Sequence, residues 1–197
     1  GIGATGFVRS RSGYYFWKNW SNWETNRNGG VTLNTSDKPI FKIEEVLLNY
    51  AEAMYELGTT GKALDDALNI SLNLVRLRVN PDMPKLTTSF ASENSLNMRE
   101  EIRRERTIEL YNEGFRVDDL KRWNTAIVEM PKPILGVKWT GTDFATSWAG
   151  ASNMAKDSDG CLILENSRRW GSKNDLYPLP VDQCQLNPNL GQNPGWQ

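Results

Sequence analysis

The feature that most constrains this fold is the helical spacing of apolar residues in the first part of the segment from residue 41 to residue 78. Intervals of three and four between these residues predict an amphipathic helix over residues about 41 to 57. The predicted buried face consists of Ile43, Leu47, Tyr50, Met54 and Leu57. Gly58 comes next and is typical of a residue that caps a helix C-terminus.

A second predicted helix completes a helical hairpin. It covers residues about 62 to 78, begins after Thr59 or Thr60 and cannot continue through Pro81 and Pro84. Small residues, Ala51 and Ala63, stand where two helices must approach closely, at intervals that follow the tetratricopeptide pattern. One such repeat is visible and its signature tryptophan is missing, so the spacing indicates a hairpin rather than a solenoid.

The stretch ERTIELYNEGFRVDDLKRW, residues 105 to 123, is highly charged but keeps helical apolar spacing. It predicts the end of a third helix, residues about 95 to 113, then an interruption at Gly114 and a fourth helix. The two predicted buried stripes are Ile108, Tyr111 and Phe115, and then Leu120, Trp123 and Ile127. Beyond Met130 the periodicity stops, and the composition predicts long loops.

The acids of this stretch allow two interpretations. As catalytic groups, the candidates are Glu105, Glu109, Glu113, Asp118 and Asp119. As structural groups, they are neutralised by neighbouring arginines, for example Arg104 four residues after Glu100. The spacing of Arg116, Asp119 and Arg122 predicts a shielded ion-paired ladder. A nearby arginine lowers the pKa that a catalytic acid needs raised, so the structural interpretation is favoured.

Composition excludes several classes of function. The 23 basic and 24 acidic residues give a net charge of −1, which argues against nucleic acid as a partner. Histidine is absent, which removes Ser-His-Asp and Cys-His catalysis and the commonest zinc ligand. Cys161 and Cys184 lack the CxxC spacing of a zinc site, and they can either form one disulfide or remain separate thiols. We expect no metal and no cofactor.

Tryptophans and amides alternate near the start of the chain. Trp17, Trp20 and Trp23 are three apart, with Asn22 and Arg27 close by. Sugars stack their apolar faces on aromatic rings, while amide and guanidinium groups bind the hydroxyls. The segment is therefore a candidate glycan platform, and the alternative is that its aromatic rings cover the helical core.

Three ordered motifs resemble the SusD/RagB family of nutrient-binding lipoproteins. They are ERTIELYNEGFRVDDLKRW, the helical pair IFKIEEVLLNYAEAMYELG with ALNISLNLVRLRV, and the closing LYPLPVDQCQLNPNLGQNPGW. The resemblance covers most of residues 12 to 197 and corresponds to the C-terminal part of longer family members. It implies a mainly α fold with tetratricopeptide-like helical hairpins, long irregular loops and few short strands.

The resemblance also carries expectations about organisation and function. Residues 1–197 form one C-terminal SusD-like region, made of an aromatic loop segment (1–38), a helical scaffold (39–130) and a loop-rich segment (131–197). It implies a non-catalytic glycan-binding component of polysaccharide uptake that works with a TonB-dependent SusC-like transporter. It implies a surface-exposed outer-membrane lipoprotein whose lipid anchor lies outside these residues.

Two functions from other classes remain as alternatives. A helical glycoside hydrolase requires two carboxylates free of arginine, about 5 to 9 Å apart. A tetratricopeptide-like adaptor requires at least three repeats.

Overall fold

The computed structural model describes residues 12–14, 18 and 39–196. This part is mainly helical, with one antiparallel pair of short strands, as the sequence predicts. The helices are α1 Ile43–Glu56, α2 Gly61–Asn69, α3 Leu72–Val79, α4 Thr88–Glu93, α5 Met98–Glu109, α6 Arg116–Arg122, α7 Ala126–Glu129, α8 Phe144–Ser147 and α9 Val181–Leu186. The strands are β1 Ile134–Lys138 and β2 Cys161–Glu165.

The described residues form two compact units. The helical unit contains residues 39–118, and the C-terminal unit contains residues 12–14, 18 and 119–196. None of the helices in the described part is long and apolar enough to cross a membrane.

Helix α1 ends as the sequence predicts. Gly58 has a left-handed φ of 82°. Its N–H donates to the carbonyl of Tyr55 at 2.9 Å, and the N–H of Thr59 donates to that of Met54 at 3.2 Å. This is the Schellman arrangement, which satisfies carbonyls that the helix end leaves open.

The predicted buried face of α1 is wrong at three of its five positions, although Leu47 does pack against the core. Leu48 and Ala51 are fully buried, whereas Ile43 is 64% and Leu57 80% exposed, and Tyr50 is also exposed. At 100° per residue, Leu57 lies on the side of the helix opposite Leu48. Because α1 carries apolar residues on both sides, periodicity alone selected a face that the helical unit covers only in part.

The second predicted helix is broken into α2 and α3. Ser71 lies at the break with φ −136° and ψ −100°, outside the helical region. Its side chain is fully buried, and its hydroxyl donates to the carbonyl of Ala67 at 2.6 Å. A serine that bonds to the backbone in this way competes with helix continuation.

Helix α4 lies between the second and third predicted helices, where the apolar spacing predicts no helix. The Thr87 hydroxyl caps it by accepting from the N–H of Phe90 at 3.1 Å. The Asp65 carboxylate of α2 accepts from the N–H and hydroxyl of Thr88, at 2.7 and 3.0 Å. A tertiary contact therefore stabilises a helix of six residues, which is too short to persist alone.

Helix α5 is shorter at both ends than the predicted 95 to 113. The Asn97 side chain caps it by accepting from the N–H groups of Arg99 and Glu100. Gly114 has a φ of 93° in the turn that follows, so the predicted interruption is confirmed. The predicted stripe is wrong for Ile108 and Tyr111, which are exposed, because the core receives Ile102 and Leu110 instead.

The fourth predicted helix is divided between α6 and α7. Leu120 of α6 is buried as expected, but Ile127 of α7 is exposed and Ala126 takes the buried position. The break follows Trp123, where Asn124 has a left-handed φ of 55°.

The core of the C-terminal unit is small and aromatic. Val137 of β1 and Leu162 of β2 are buried with Ala151, and the side chains that pack against them include Trp139 and Trp148. The N–H of Val137 donates to the carbonyl of Ser12 at 2.8 Å, which holds residue 12 against β1. Cys161 and Cys184 are separate thiols.

Candidate functional site

The acids of α5 and the turn after it form ion pairs with cations from other parts of the helical unit. Glu105 pairs with Arg76 of α3 at 3.2 Å, and Glu109 pairs with Arg78 of α3 at 2.9 Å. Glu113 pairs with Lys42 at 2.8 Å. The structural interpretation of these three acids is confirmed, with partners distant in sequence.

One local pairing predicted from spacing is wrong, and the predicted ladder is confirmed only in part. Arg104 binds Glu101 at 2.6 Å rather than Glu100, because the residue three positions earlier is also within reach. Asp119 is buried and binds Arg122 at 2.8 Å, as the ladder required. Arg116 and Arg122 themselves are exposed rather than shielded, and Arg116 donates to the Thr107 hydroxyl at 2.8 Å.

The most buried of these pairs joins Arg76 and Glu105. Their side chains are 4% and 12% exposed. Burial raises the pKa of the Glu105 carboxyl above its ordinary value, although the Arg76 guanidinium acts in the opposite direction. A raised pKa suits a general acid, but with a guanidinium against it and little of its surface exposed, this carboxyl is placed as a structural group.

Burial also acts on Lys42, where it disfavours the ammonium. The hydrogen bond and the charge of Glu113 outweigh that effect and raise the pKa of Lys42 above its ordinary value. The turn after α5 is therefore attached by charge to the residues before α1, as α5 itself is to α3.

A different arrangement occurs in the C-terminal unit, in a group of side chains that we call the aromatic–lysine cluster: Lys121, Trp170 and Tyr177. The Lys121 ammonium lies 3.9 Å from the centroid of the Tyr177 ring and 5.7 Å from that of the Trp170 ring. The Trp170 indole N–H donates to Asp175 at 2.9 Å, which fixes the orientation of that ring. Tyr177 is 72% exposed, so most of its surface is available to a ligand.

A second lysine and aromatic ring lie close by along the chain. The Lys173 ammonium is 4.9 Å from the centroid of the Trp196 ring. The Trp196 indole N–H donates to the carbonyls of Lys173 and Leu176, at 2.8 and 3.0 Å. The indole N–H groups of Trp170 and Trp196 are therefore both held by hydrogen bonds, which orient the two rings.

The QNPGW motif holds the backbone that carries Tyr177, and we call it the C-terminal clamp (residues 192 to 196). The Gln192 amide accepts from the N–H of Leu179 at 2.7 Å and donates to its carbonyl at 2.8 Å. Asn193 donates to the carbonyl of Tyr177 at 2.6 Å. Gly195 is required because a Cβ there would stand 2.6 Å from the Cβ of Lys173.

The clamp gives the closing motif a physical role. The clamp forms hydrogen bonds with both N–H and carbonyl groups in the backbone of residues 173–179. Pro178 and Pro180 further restrict the backbone conformation there. An exposed Tyr177 on a restrained backbone loses little conformational freedom on binding, which favours ligand capture.

The sequence-predicted platform of Trp17, Trp20, Trp23, Asn22 and Arg27 lies outside the described residues. Two other tryptophans, Trp139 and Trp148, pack against the core of the C-terminal unit, and the Trp139 indole N–H donates to the Trp148 carbonyl at 3.4 Å. Sequence reasoning missed Lys121 and Tyr177 as site residues. The available signal was a tyrosine between leucine and proline in the closing motif.

The acidic turn KDSDG, residues 156 to 160, is held together by hydrogen bonds from its own backbone and that of Cys161. The Asp157 carboxylate accepts from the N–H groups of Asp159 and Cys161, at 3.0 and 2.8 Å, which closes the turn between the loop and β2. Among the described residues, no group of three or more histidine, cysteine or acidic side chains is placed to hold a metal ion.

These features define a mainly helical protein with an aromatic surface cluster. The chain belongs to the SusD family, whose sequence model matches residues 5–196. A SusD-like carbohydrate binding protein from Bacteroides fragilis is 28% identical, with a TM-score of 0.59, and the match covers 78% of this chain and 28% of that one. A second SusD-like protein from that bacterium is 28% identical, with a TM-score of 0.53 and coverages of 78% and 24%.

The chain thus spans about a quarter of the length of these SusD-like structures, where the matches cover 28% and 24% of each. No curated protein matches it. The family resemblance inferred from the three motifs is confirmed.

Proposed function

We propose that this chain is part of a non-catalytic glycan-binding protein. The observation that carries the proposal is the exposed ring of Tyr177 on a backbone restrained by the clamp, in a member of a family that includes a SusD-like carbohydrate binding protein. An exposed, restrained aromatic ring suits the apolar face of a sugar. The ion pairing of Glu105, Glu109 and Glu113 supports binding without hydrolysis.

The proposal extends to the setting of the protein. It acts as a surface-exposed lipoprotein of the outer membrane and passes its glycan to a TonB-dependent SusC-like transporter. Trp17, Trp20 and Trp23, with Asn22 and Arg27, contribute a second aromatic platform. Their three-residue spacing and neighbouring amides support this part.

The experiment is a glycan array followed by calorimetry with the full-length protein. We expect binding to at least one oligosaccharide, and weaker binding after each change Trp17→Ala, Trp20→Ala and Trp23→Ala. The control is Tyr14→Ala, which removes an exposed aromatic ring just before this stretch. Failure of the wild type to bind any glycan would remove the proposal.

Two further measurements test its other parts. Release of reducing sugar from the bound glycan should stay at background, and turnover abolished by a single acidic substitution would establish a hydrolase instead. Purification of the tagged full-length protein from its own membrane should recover a TonB-dependent transporter in stoichiometric amount. Recovery of the protein alone under mild detergent would contradict the partnership.

A further inference from the structure

Three described lysines of the C-terminal unit lie over aromatic rings. Lys156 donates to the carbonyls of Ser152 and Met154. Lys121 and Lys173, by contrast, remain without an acidic partner in the described part of the chain. Across the described residues, neither Lys121 nor Lys173 forms a salt bridge, whereas the lysines at 42, 62 and 132 each pair with a carboxylate. An ammonium held over a ring keeps its charge and most of its capacity to donate hydrogen bonds. Lys121 and Lys173 are therefore available to a negatively charged ligand.

The local sequence adds to this positive charge. Residues 166 to 175 contain Arg168, Arg169 and Lys173 but a single acid, Asp175. That acid already accepts the indole N–H of Trp170. The excess is local, because the chain as a whole has a net charge of −1.

The two lysine–aromatic pairs belong to one short surface. Lys173 and Tyr177 are four residues apart, and an extended chain of that length spans at most about 14 Å. The Trp196 indole bonds to carbonyls at both ends of the intervening segment, those of Lys173 and Leu176. The clamp therefore restrains the backbone that joins Lys173 to Tyr177.

We propose that this surface binds an anionic oligosaccharide, with a sugar ring stacked on the open side of Tyr177 and its carboxylate or sulfate bound by Lys121 and Lys173. The proposal rests on the proposed function and narrows it to a class of glycan. Tyr177 supplies apolar contact that neutral and charged sugars share. The two ammonium groups supply the preference for an anionic sugar over a neutral one, since hydrogen bonds between ionised groups are stronger than those between neutral groups.

The test uses the full-length protein and two matched pairs of probes in calorimetry. One pair is oligogalacturonate and the same oligosaccharide with its carboxyl groups reduced to alcohols. The other is a sulfated dextran oligosaccharide and unmodified dextran. We expect at least one anionic probe to bind more tightly than its neutral counterpart, and the difference to shrink as salt is raised, because the charges are exposed.

Substitutions locate the interaction. Lys121→Gln should weaken binding of the anionic probe roughly tenfold, a loss typical of one charge-assisted contact, and leave the neutral probe unchanged. Lys138→Gln is the matched control, because Lys138 is an exposed lysine of the same unit on β1. Tyr177→Ala should weaken both probes of a pair, whereas Tyr177→Phe should not. Thermal melting checks that each variant is folded.

Several results would overturn the proposal. They are failure of both anionic probes to bind, equal affinity for the reduced and unreduced oligosaccharide, and equal effects of Lys121→Gln and Lys138→Gln. The glycan array separates this failure from that of the proposed function. A neutral glycan bound there, with the Lys121 and Tyr177 variants unaffected, would remove the anionic site and leave the glycan-binding function in place.

Discussion

The buried pair of Arg76 and Glu105 leads to an asymmetric prediction for stability. Arg76→Met removes the guanidinium and leaves a carboxyl that escapes its buried charge by taking up a proton. Glu105→Gln leaves a guanidinium that cannot lose its charge at any accessible pH. The two halves of one 3.2 Å contact should therefore respond differently to acid.

The magnitude follows from the ordinary pKa of 4.5 for this carboxyl. Protonating it in the folded state costs about 1.4 kcal/mol per pH unit above that value, so Arg76→Met destabilises by at most about 3.4 kcal/mol at pH 7 and about 0.7 at pH 5. The true loss is smaller still, because burial already raises this pKa in the wild type. Glu105→Gln should cost about 3 to 5 kcal/mol at both pH values.

The sign agrees with the wild-type titration. A carboxyl whose folded pKa is raised binds its proton more tightly in the native state, so its contribution to stability is lost as pH rises above 4.5. Changing both residues to apolar ones should restore most of the loss, since a buried pair is often replaced by packing at little cost.

The assay is urea unfolding of the wild type, both single variants and the double variant at pH 5 and pH 7. The control is Arg99→Met, which breaks the exposed pair with Glu56 at 2.8 Å and should have a much smaller effect. An effect of Arg76→Met that is equal at the two pH values would refute the reasoning. So would a double variant that loses as much stability as the sum of the single ones.

Three further predictions concern packing and backbone. In urea unfolding, Leu48→Ala should destabilise the protein by about 2 to 5 kcal/mol and Leu57→Ala by less than about 0.5 kcal/mol. A larger loss for Leu57→Ala would show that the face predicted from the sequence is the buried one. Gly58→Ala should reduce the free energy of unfolding by about 1 to 2 kcal/mol, because alanine disfavours the left-handed φ of this position. The control is Gly150→Ala, which should cause no comparable drop in thermal melting because Gly150 does not have a left-handed φ. Gly195→Ala should increase quenching of Trp196 fluorescence by an aqueous quencher more than Gly191→Ala does, because only the new Cβ at position 195 clashes with Lys173. Equal quenching in the two variants would contradict the clamp.

Local features of the sequence were sufficient for the positions and ends of several helices. Gly58 and Gly114 marked turns because a left-handed backbone favours glycine, and this requirement does not depend on distant residues. The family was also visible in the order of three motifs. The proposed platform at Trp17, Trp20 and Trp23 remains a prediction.

The candidate site was less accessible to sequence reasoning. The cluster joins Lys121 to Tyr177, which are 56 positions apart in the sequence, and no local spacing connects them. The Gln192 amide was visible in the motif, but its two bonds to the Leu179 backbone were not. Long-range pairs of this kind depend on how separate segments pack, which a periodicity does not encode.

The sequence by itself determined that helices form within residues about 41 to 78 and 95 to 113, where apolar spacing, caps and breakers act within one or two turns. Only the tertiary structure decided which side of α1 is buried, where Ser71 breaks a helix, and which cations neutralise the acids of α5. The physical reason is that both sides of α1 are apolar and several arginines are within reach of each acid. Such choices are settled by packing between elements, where burial and charge pairing are satisfied together.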